Sequence, residues 1–401
     1  MKISVTFKAV VFFVIALCVI IGDFNSYFSF SDELATVIFL AYIFVELLRG
    51  KIEKSDRKIL TLLFVIMILG LISNVTSGIN VRLDAIIVDA LWLYKVIVGY
   101  LCAYYIFKNE KDRRSFESLI KSIAILFVVI SFFGAMLNLV ADVGLSDGDI
   151  RYGLRSYCFI IGNSGHYGLI SACCLGIILA TEKRKQLRNV LIILACIEIL
   201  LTTKFMPIIV VIVYIALFNQ DELRKIKVSH VAIGAVLIAL LGYKRIYYYI
   251  MDLNHPRMRL MIYGIKTAKK FFPLGSGFAT YGSEMARRYY SPLYTYWGVE
   301  NYYGLSPWND SCLNDNYIAM IVAQFGVIAL ILYCLLLFII YKQTVQNVKL
   351  KNKNIRNIIA ALFVMMVMTS LMSGTYKGAM GMSVFMTIGY LRRNIRVVDG
   401  A

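Results

Sequence analysis

Long apolar runs separated by short polar connections repeat along almost the whole chain, with one long interruption. A helix needs about 20 mostly apolar residues to cross about 30 Å of hydrocarbon. The pattern therefore predicts twelve membrane-spanning helices, with approximate bounds 7–22, 33–48, 59–77, 85–107, 118–141, 157–181, 187–203, 205–218, 229–243, 315–341, 357–373 and 377–391. We interpret the chain as one all-α polytopic integral membrane domain, residues 1–401.

The interruption, residues 244–314, is polar, aromatic and basic. Loops of this length are usually functional or disordered. The glycine, proline and tyrosine residues of this loop favour order, so we expect the chemistry of the protein to lie there.

Basic residues are concentrated in alternate connections and predict how the chain crosses the membrane. The basic clusters lie within 49–58, 111–114, 183–188, 224–227, 349–356 and 392–396. Cytoplasmic loops of membrane proteins are rich in Lys and Arg, so these connections and both termini are predicted to be cytoplasmic. The alternation requires a tight turn at 203–205, because a single helix over 187–218 would invert everything after it. The large loop is then extracytoplasmic.

Composition limits the possible function classes. Hydrophobic residues make up 60% of the chain, and the formal net charge is +18. The cytoplasmic loops account for most of this charge, so we expect no nucleic-acid partner. Eight cysteines without metal-ligand spacing and three histidines predict neither a metal site nor a cofactor.

Several basic residues fall on the predicted outer side, where the charge rule does not explain them. They are Arg151, Arg155, Lys204, Lys244, Arg245, Arg257, Arg259, Lys266, Lys269 and Lys270. Because Arg and Lys bind phosphate oxygens, we expect a cationic site for a diphosphate attached to a lipid. The last three lysines equally fit the solvated face of an amphipathic helix over 257–272.

Two further polar groups lie within or beside predicted spans. Lys95 follows Asp89 by six residues inside a span and is either its structural partner in the membrane or part of a functional site. His166 lies near the outer end of a span, where it is either a packing residue or a substrate contact.

Within the loop, Pro273–Gly277 has the composition of a tight turn that lets backbone approach closely. Tyr294, Trp297 and Trp308 belong to an aromatic cluster that suits either stacking on sugars or an interfacial belt.

Asp310 and Asp315 are the candidate catalytic residues of the loop. A partly desolvated carboxylate at the membrane boundary can have a raised pKa and accept a proton from a sugar hydroxyl. Alternatively, Asp315 caps the helix that begins at Asn316.

Several motifs occur in an order that resembles the O-antigen polymerase and ligase superfamily. They are Arg257 with Arg259, Pro273–Phe278, Asp315–Ile318 and Gln324–Val327, preceded by Arg151 with Arg155 and by Thr202–Lys204. In that family a periplasmic loop begins with arginines, carries a Pro-Leu-x-Gly-x-Gly turn and leads into a helix that opens with His-Asn or Asp-Asn. The topology is similar over most of the chain, whereas the motifs cover a minor part of it.

Three positions depart from the family pattern. Asp315 stands where the ligase branch has His, which favours a polymerase. Gln324 replaces an acid and is not expected to act as a base. Lys204 stands where Arg is common, and its ammonium lacks the two-pronged contact of a guanidinium.

The resemblance implies a GT-C-like fold and a metal-independent, inverting glycosyltransferase on the periplasmic side of a bacterial cytoplasmic (inner) membrane. The donor would be a glycan on undecaprenyl diphosphate, and the acceptor a lipid-linked repeat unit. A chain-length regulator protein and the lipid bilayer are further expected partners. Asp315 would take or orient the acceptor proton. The departing diphosphate would contact Arg257, Arg259, Arg151, Arg155, Lys204, Lys244 and Arg245.

Two alternatives stay open. An O-antigen ligase would transfer finished glycan to lipid A core. A flippase for lipid-linked oligosaccharides would also have about twelve spans, but internal repeats are expected there and none is visible in this sequence.

Overall fold

The structure, a computed structural model, describes residues 6–218, 252–346, 353–370 and 373–398. Its helices are α1 Phe7–Gly22, α2 Ser31–Leu48, α3 Lys54–Ser77, α4 Leu83–Ile106, α5 Glu110–Val140, α6 Ser164–Thr181, α7 Lys185–Leu201, α8 Phe205–Phe218, α9 Pro256–Lys270, α10 Glu284–Arg288, α11 Pro292–Tyr296, α12 Tyr317–Tyr341, α13 Lys353–Ser370 and α14 Ala379–Val398. Two antiparallel strands, β1 Ser146–Arg151 and β2 Leu154–Tyr157, form a hairpin between α5 and α6.

Five of these helices, α3, α4, α5, α6 and α12, are long and apolar enough to cross a membrane. Helix α1 and the first part of α8 are apolar but shorter. The predicted helical membrane protein fits this architecture. Each predicted span overlaps a helix wherever the chain is described, and the span at 229–243 lies outside the described residues. The total of twelve spans stays a prediction.

Polar residues next to the apolar runs set where the helices begin. Asn163 accepts the backbone N–H groups of Gly165 and His166 at 2.9 and 3.1 Å, so α6 starts at Ser164 rather than at 157. Asn316 accepts the N–H of Ala319 at 3.0 Å and caps α12. These are ordinary N-cap contacts that satisfy otherwise unpaired donors. The cap of α12 is therefore Asn316 and not Asp315.

Helix α4 lies at the centre of the bundle and packs against α2 and α14. The approach of α14 is close, since a Cβ on Gly389 would lie 2.1 Å from the carbonyl oxygen of Tyr100. Helix α12 packs against α3 and against α9 of the loop.

A buried ion pair joins the start of α3 to the end of α14. Arg392 donates to Asp56 at 3.0 Å and to the Tyr100 hydroxyl at 2.8 Å, and both Arg392 and Asp56 are buried. Lys121 in α5 pairs in the same way with Glu182, after α6, at 2.9 Å. These segments were all predicted to share one membrane face, and the contacts agree with that grouping. Which face is cytoplasmic stays a prediction.

The described part of the large loop has its own apolar core. Leu260, Tyr281, Leu293 and Leu305 are buried together and pack against Ala323 of α12. Inside the predicted loop, α9 covers most of the expected 257–272 helix, and Lys266, Lys269 and Lys270 are exposed on it. The loop is thus ordered where it is described, and it is fixed to a membrane helix.

The turn at Pro273–Gly277 inserts into a break in α12. Gly326 has a φ of 66° inside the helix, which leaves carbonyl groups of the preceding turn free. Ser276 and Gly277 donate their N–H groups to the carbonyls of Ala323 and Gln324 at 2.9 and 2.8 Å. Irregular backbone is tolerated at membrane depth when protein surrounds it and satisfies its polar groups. The predicted close backbone approach is confirmed.

Candidate functional site

A polar cavity of about 470 Å³ lies where the loop meets the ends of several helices. It reaches down to the middle of α4. Its charged or polar side chains are Asp23, Ser29, Asp32, Glu33, Trp92, Lys95, His166, Glu284, Asn314, Asp315, Ser373, Thr375 and Lys377. The lining therefore combines α1, α2, α4, α6 and the loop with the turn before α14.

Asp315 lies in this cavity and is bound to Arg257 of α9. The Arg257 Nε donates to Oδ2 of Asp315 at 2.8 Å, and its Nη2 contacts the same oxygen. The N–H of Gly374 is within hydrogen-bonding reach of the same carboxylate. Burial raises the pKa of Asp315, and Arg257 opposes that rise only in part. The raised pKa agrees with the expectation for a carboxylate at the membrane boundary.

The turn at Gly374–Lys377 forms one wall of the cavity. Lys377 is buried and its Nζ donates to the carbonyl of Gly282 at 2.8 Å. Burial lowers the pKa of Lys377 to about 8, although carboxylates of Asp89, Glu284 and Asp315 lie near enough to favour its charged form. Because Lys377 reaches a loop carbonyl from the bundle, it connects the two parts of the site.

His166 faces the cavity from the first turn of α6, held between Asp23 and Thr375. Its Nδ1 contacts the Asp23 carboxylate, and its Nε2 lies 3.3 Å from the Thr375 hydroxyl. A carboxylate accepts only, so we assign the ring proton to Nδ1, which leaves a lone pair on Nε2. A carboxylate that fixes the tautomer of a histidine is a recurring arrangement for general bases.

Lys95 pairs with α2 and not with Asp89, so the predicted pair is wrong. Its Nζ lies 2.6 Å from Asp32 and 3.2 Å from Glu33. Residues six apart on a helix point about 120° apart, which places Asp89 and Lys95 on different faces. Asp89 instead accepts the N–H of Ala279 at 2.7 Å and the amide of Gln324 at 3.0 Å.

Asp310, the second predicted catalytic carboxylate, is held by Arg287. Arg287 lies 3.3 Å from Asp310 and also pairs with Glu284. Glu284 lines the cavity, whereas the lining does not include Asp310. Among the described carboxylates of the loop, Glu284 is therefore better placed than Asp310 to meet a ligand in the cavity.

Arg257 and Arg259 point in different directions. Arg259 donates to Asn254 at 2.6 Å and stacks over Tyr302 at 4.3 Å from the ring centre. Residues two apart on a helix are separated by about 200°, so one pair of arginines cannot present a joint surface to one phosphate group. Of these two arginines, Arg257 is the one that binds a residue lining the cavity.

The other predicted outer cations form a separate group at the β-hairpin. Lys204 pairs with Asp149 at 3.1 Å and Asp147 at 3.4 Å, and Arg151 pairs with Asp149 at 2.6 Å. Arg155 donates to the carbonyl of Asn138 at 2.7 Å. Asp147 also binds Ser164 at the start of α6, so the hairpin lies beside the helix that carries His166. Lys244 and Arg245 lie outside the described residues.

The predicted aromatic sugar contacts do not line the cavity in the described structure. Tyr294 is fully buried and accepts the N–H of Gly282 at 2.8 Å. Trp297 donates to Thr267 at 2.9 Å, which ties it to α9. Trp308 is 83% exposed. The aromatic residue in the cavity is Trp92 of α4, which donates to Glu33 at 2.9 Å.

The cavity is therefore not the purely cationic surface that the sequence suggested. Its lining holds more carboxylates than lysines, and the carboxylates are held by basic partners. The pairs are Asp23 with His166, Asp32 and Glu33 with Lys95, Glu284 with Arg287, and Asp315 with Arg257. An anionic ligand that binds Arg257, Lys95, Arg287 or His166 would have to replace one of these carboxylates.

Sequence reasoning missed Asp23, Asp32, Glu33, Glu284 and Lys377 as residues of the site. Asp23, Asp32 and Glu33 occupy a short connection on the predicted outer side, and Lys377 stands at the start of a predicted span. A search for every charge at an outer span end, and not only for cations, would have found these four, whereas no such signal marks Glu284 inside the large loop.

Comparison with known proteins adds no relative. The chain matches no protein-family model, and a search of curated proteins finds no match. The resemblance to the O-antigen polymerase and ligase superfamily therefore stays a prediction from its motifs.

Proposed function

We propose that this protein is a polysaccharide polymerase, an inverting glycosyltransferase that joins lipid-linked repeat units outside the cytoplasmic membrane of a bacterium. The observation that carries the proposal is the polar cavity between the loop and the helix ends. There, an arginine–aspartate pair and a carboxylate-bound histidine contact adjacent residues, Gly374 and Thr375. We assign the chain to a GT-C-like fold with twelve spans as part of the same proposal.

Arg257 binds the diphosphate of the donor in this proposal. A phosphate oxygen replaces the Asp315 carboxylate, because both are anionic acceptors that match the fork of a guanidinium. The exchange leaves the number of charge-assisted hydrogen bonds to Arg257 unchanged, so it needs no free cation in the resting site. Lys377 supplies a second positive charge from the neighbouring turn.

The position of Arg257 indicates which residue accepts the proton of the acceptor hydroxyl. In an inverting displacement the attacking oxygen and the leaving group lie on opposite sides of the anomeric carbon. Asp315 contacts Arg257 and so lies on the leaving-group side. His166 comes from another helix and offers its Nε2 to the cavity, so we transfer the predicted role of base from Asp315 to His166.

In the proposed reaction every bond that forms is matched by one that breaks, so no cofactor is required. The acceptor hydroxyl oxygen bonds to the anomeric carbon, and the bond from that carbon to the diphosphate oxygen breaks. The diphosphate keeps the electron pair, and the hydroxyl proton passes to Nε2 of His166. Asp23 stabilises the imidazolium that forms.

The test uses purified full-length protein and lipid-linked repeat units, with polymer length resolved on a gel. Arg257→Ala is expected to lower the rate about 10²–10³-fold, the usual cost of removing one charge-stabilising donor. Lys269→Ala is the matched control, since Lys269 is exposed on the same helix. Long polymer formed by Arg257→Ala at the control rate contradicts the diphosphate role.

The base is tested by pH dependence. A base acts only in its unprotonated form, so the rate should fall as the pH is lowered. His166→Asn should abolish this fall in rate at low pH together with most activity, whereas Asp315→Asn should keep the fall. If Asp315→Asn removes the pH dependence and His166→Asn does not, Asp315 is the base, as the sequence first suggested.

A strain that lacks this protein distinguishes the polymerase from the two alternative functions. Surface glycan with a single repeat indicates a polymerase. Lipid-linked polymer that never reaches the surface antigen indicates a ligase, and repeat units accumulating in the cytoplasm indicate a flippase.

A further inference from the structure

Glu198 lies in the last turn of α7, inside the predicted span 187–203, and is fully buried among α5, α6 and α7. Ser131 of α5 donates its hydroxyl to Oε2 of Glu198. Within the described residues, no lysine, arginine or histidine forms an ion pair with Glu198. Glu198 is therefore a buried carboxyl without a basic partner, and ionisable residues buried inside a span are usually functional.

Three buried oxygens around Glu198 lack a hydrogen-bond partner in the described structure: Glu198 Oε1, the Tyr167 hydroxyl and the Ser171 hydroxyl. Tyr167 and Ser171 are both fully buried and lie one turn apart on α6. Both hydroxyls face the Glu198 carboxyl as hydrogen-bond donors, but neither is in normal hydrogen-bond geometry with it. Buried polar groups without a well-formed hydrogen bond are rare, and an additional atom or ion bound among them is one explanation.

The charge on Glu198 decides what that atom is. An ionised carboxylate buried without a partner is strongly unfavourable, so the group is stable only when a positive charge is added. The remaining titratable groups nearby are Tyr157, Tyr167, Cys174 and Cys196, none of which is positive in any protonation state. The donor set is oxygen only, which suits a proton or a hard cation.

A route from the surface leads towards this group. A cavity of about 190 Å³ lies under the β-hairpin, with exposed residues such as Val140 and Gly153 at its rim and Arg155 in its wall. It ends on Tyr157, whose hydroxyl donates to the carbonyl of Ser131 at 2.6 Å. Tyr157 and Ser131 thus lie between the cavity and Glu198: Tyr157 binds the Ser131 carbonyl, and the Ser131 hydroxyl binds Glu198.

We propose that Glu198, Ser131, Tyr167 and Ser171 form a buried site for one monovalent cation, a proton or a sodium ion, reached from the cavity beneath the hairpin. Occupancy of the site keeps the junction of α5, α6 and α7 electrically neutral. The site is independent of the proposed glycosyl transfer, since its residues are separate from those of the polar cavity.

The test is modification of the detergent-solubilised full-length protein by dicyclohexylcarbodiimide, which reacts with protonated carboxyls in apolar surroundings. Peptide mass spectrometry measures the adduct on Glu198 between about pH 6 and pH 9, a range that spans the ionisation of a buried carboxyl. Each pH is measured in sodium chloride and in choline chloride at equal ionic strength. Glu182 is the internal control, because it is equally buried but pairs with Lys121 and Arg184.

The expected result is an adduct on Glu198 that decreases severalfold as pH rises, with no adduct on Glu182. Protection by sodium but not by choline identifies sodium as the ligand, and equal yields in the two salts identify the proton. The Glu198→Gln variant should remain folded and unlabelled, since the amide of Gln is neutral, as the carboxylate is when its cation is bound. No adduct at any pH in choline, or a yield that does not change with pH, overturns the proposal.

Discussion

Replacing Gly275 by Ala should separate the turn at Pro273–Gly277 from the break in α12. Gly275 has a φ of +85°, and a Cβ there would lie 2.5 Å from the nitrogen of Gly326 and 2.7 Å from the carbonyl oxygen of Gln324. The atoms that it would meet belong to the backbone, so no change of rotamer relieves the clash.

The magnitude has two parts. An alanine in the left-handed region costs about 1–2 kcal/mol. Forcing an extra methyl group into a packed interior costs about 1–3 kcal/mol more. Gly144→Ala isolates the first part, because Gly144 has a φ of +74° and a Cβ on it would meet nothing within 4 Å.

The assay is heat denaturation of the full-length protein in detergent, read as the fraction that stays monodisperse in size-exclusion chromatography. One kcal/mol corresponds to about 2–4 °C in a domain of 150–250 residues and to less in a longer chain. Gly275→Ala should therefore melt a few degrees below Gly144→Ala, and both below the unchanged protein. Equal melting temperatures for the two variants would refute the backbone contact as a source of stability.

Two further predictions concern stability away from the cavity. His255 accepts the N–H of Arg257 at 3.2 Å and caps α9, and burial together with Arg257 lowers its pKa. The unfolded chain then binds the proton first, so this contribution is present above about pH 6.5 and is lost as pH falls below it. His255→Asn should keep the cap and flatten the pH dependence of the melting temperature, whereas His255→Ala should cost about 1 kcal/mol; an unchanged pH slope in His255→Asn would contradict this. Arg392→Met should destabilise the protein by about 3–5 kcal/mol, because Asp56 is left buried and unpaired. Arg114→Met, which breaks only an exposed pair with Glu110, should cost at most about 0.5 kcal/mol in the same denaturation assay.

The sequence by itself determined the helices, because apolar runs act over a few positions. Their starts were less well predicted: the pattern predicted a span from 157, whereas α6 begins at Ser164 after its cap Asn163, and Asn316 rather than Asp315 caps α12. The position of the large loop and the close approach at Pro273–Gly277 were determined in the same way, since glycine is what a positive φ and a tight contact require.

Only the tertiary structure decided which charges meet. Lys95 turned to Asp32 and Glu33 because helix geometry directs it away from Asp89, and Arg257 separated from Arg259 for the same reason. Residues distant in sequence, such as His166 and Asp23, share a cavity because α6 begins where α1 ends. Hydrophobic patterning specifies that a helix crosses, but the packing of one helix against another selects the partner of each polar side chain.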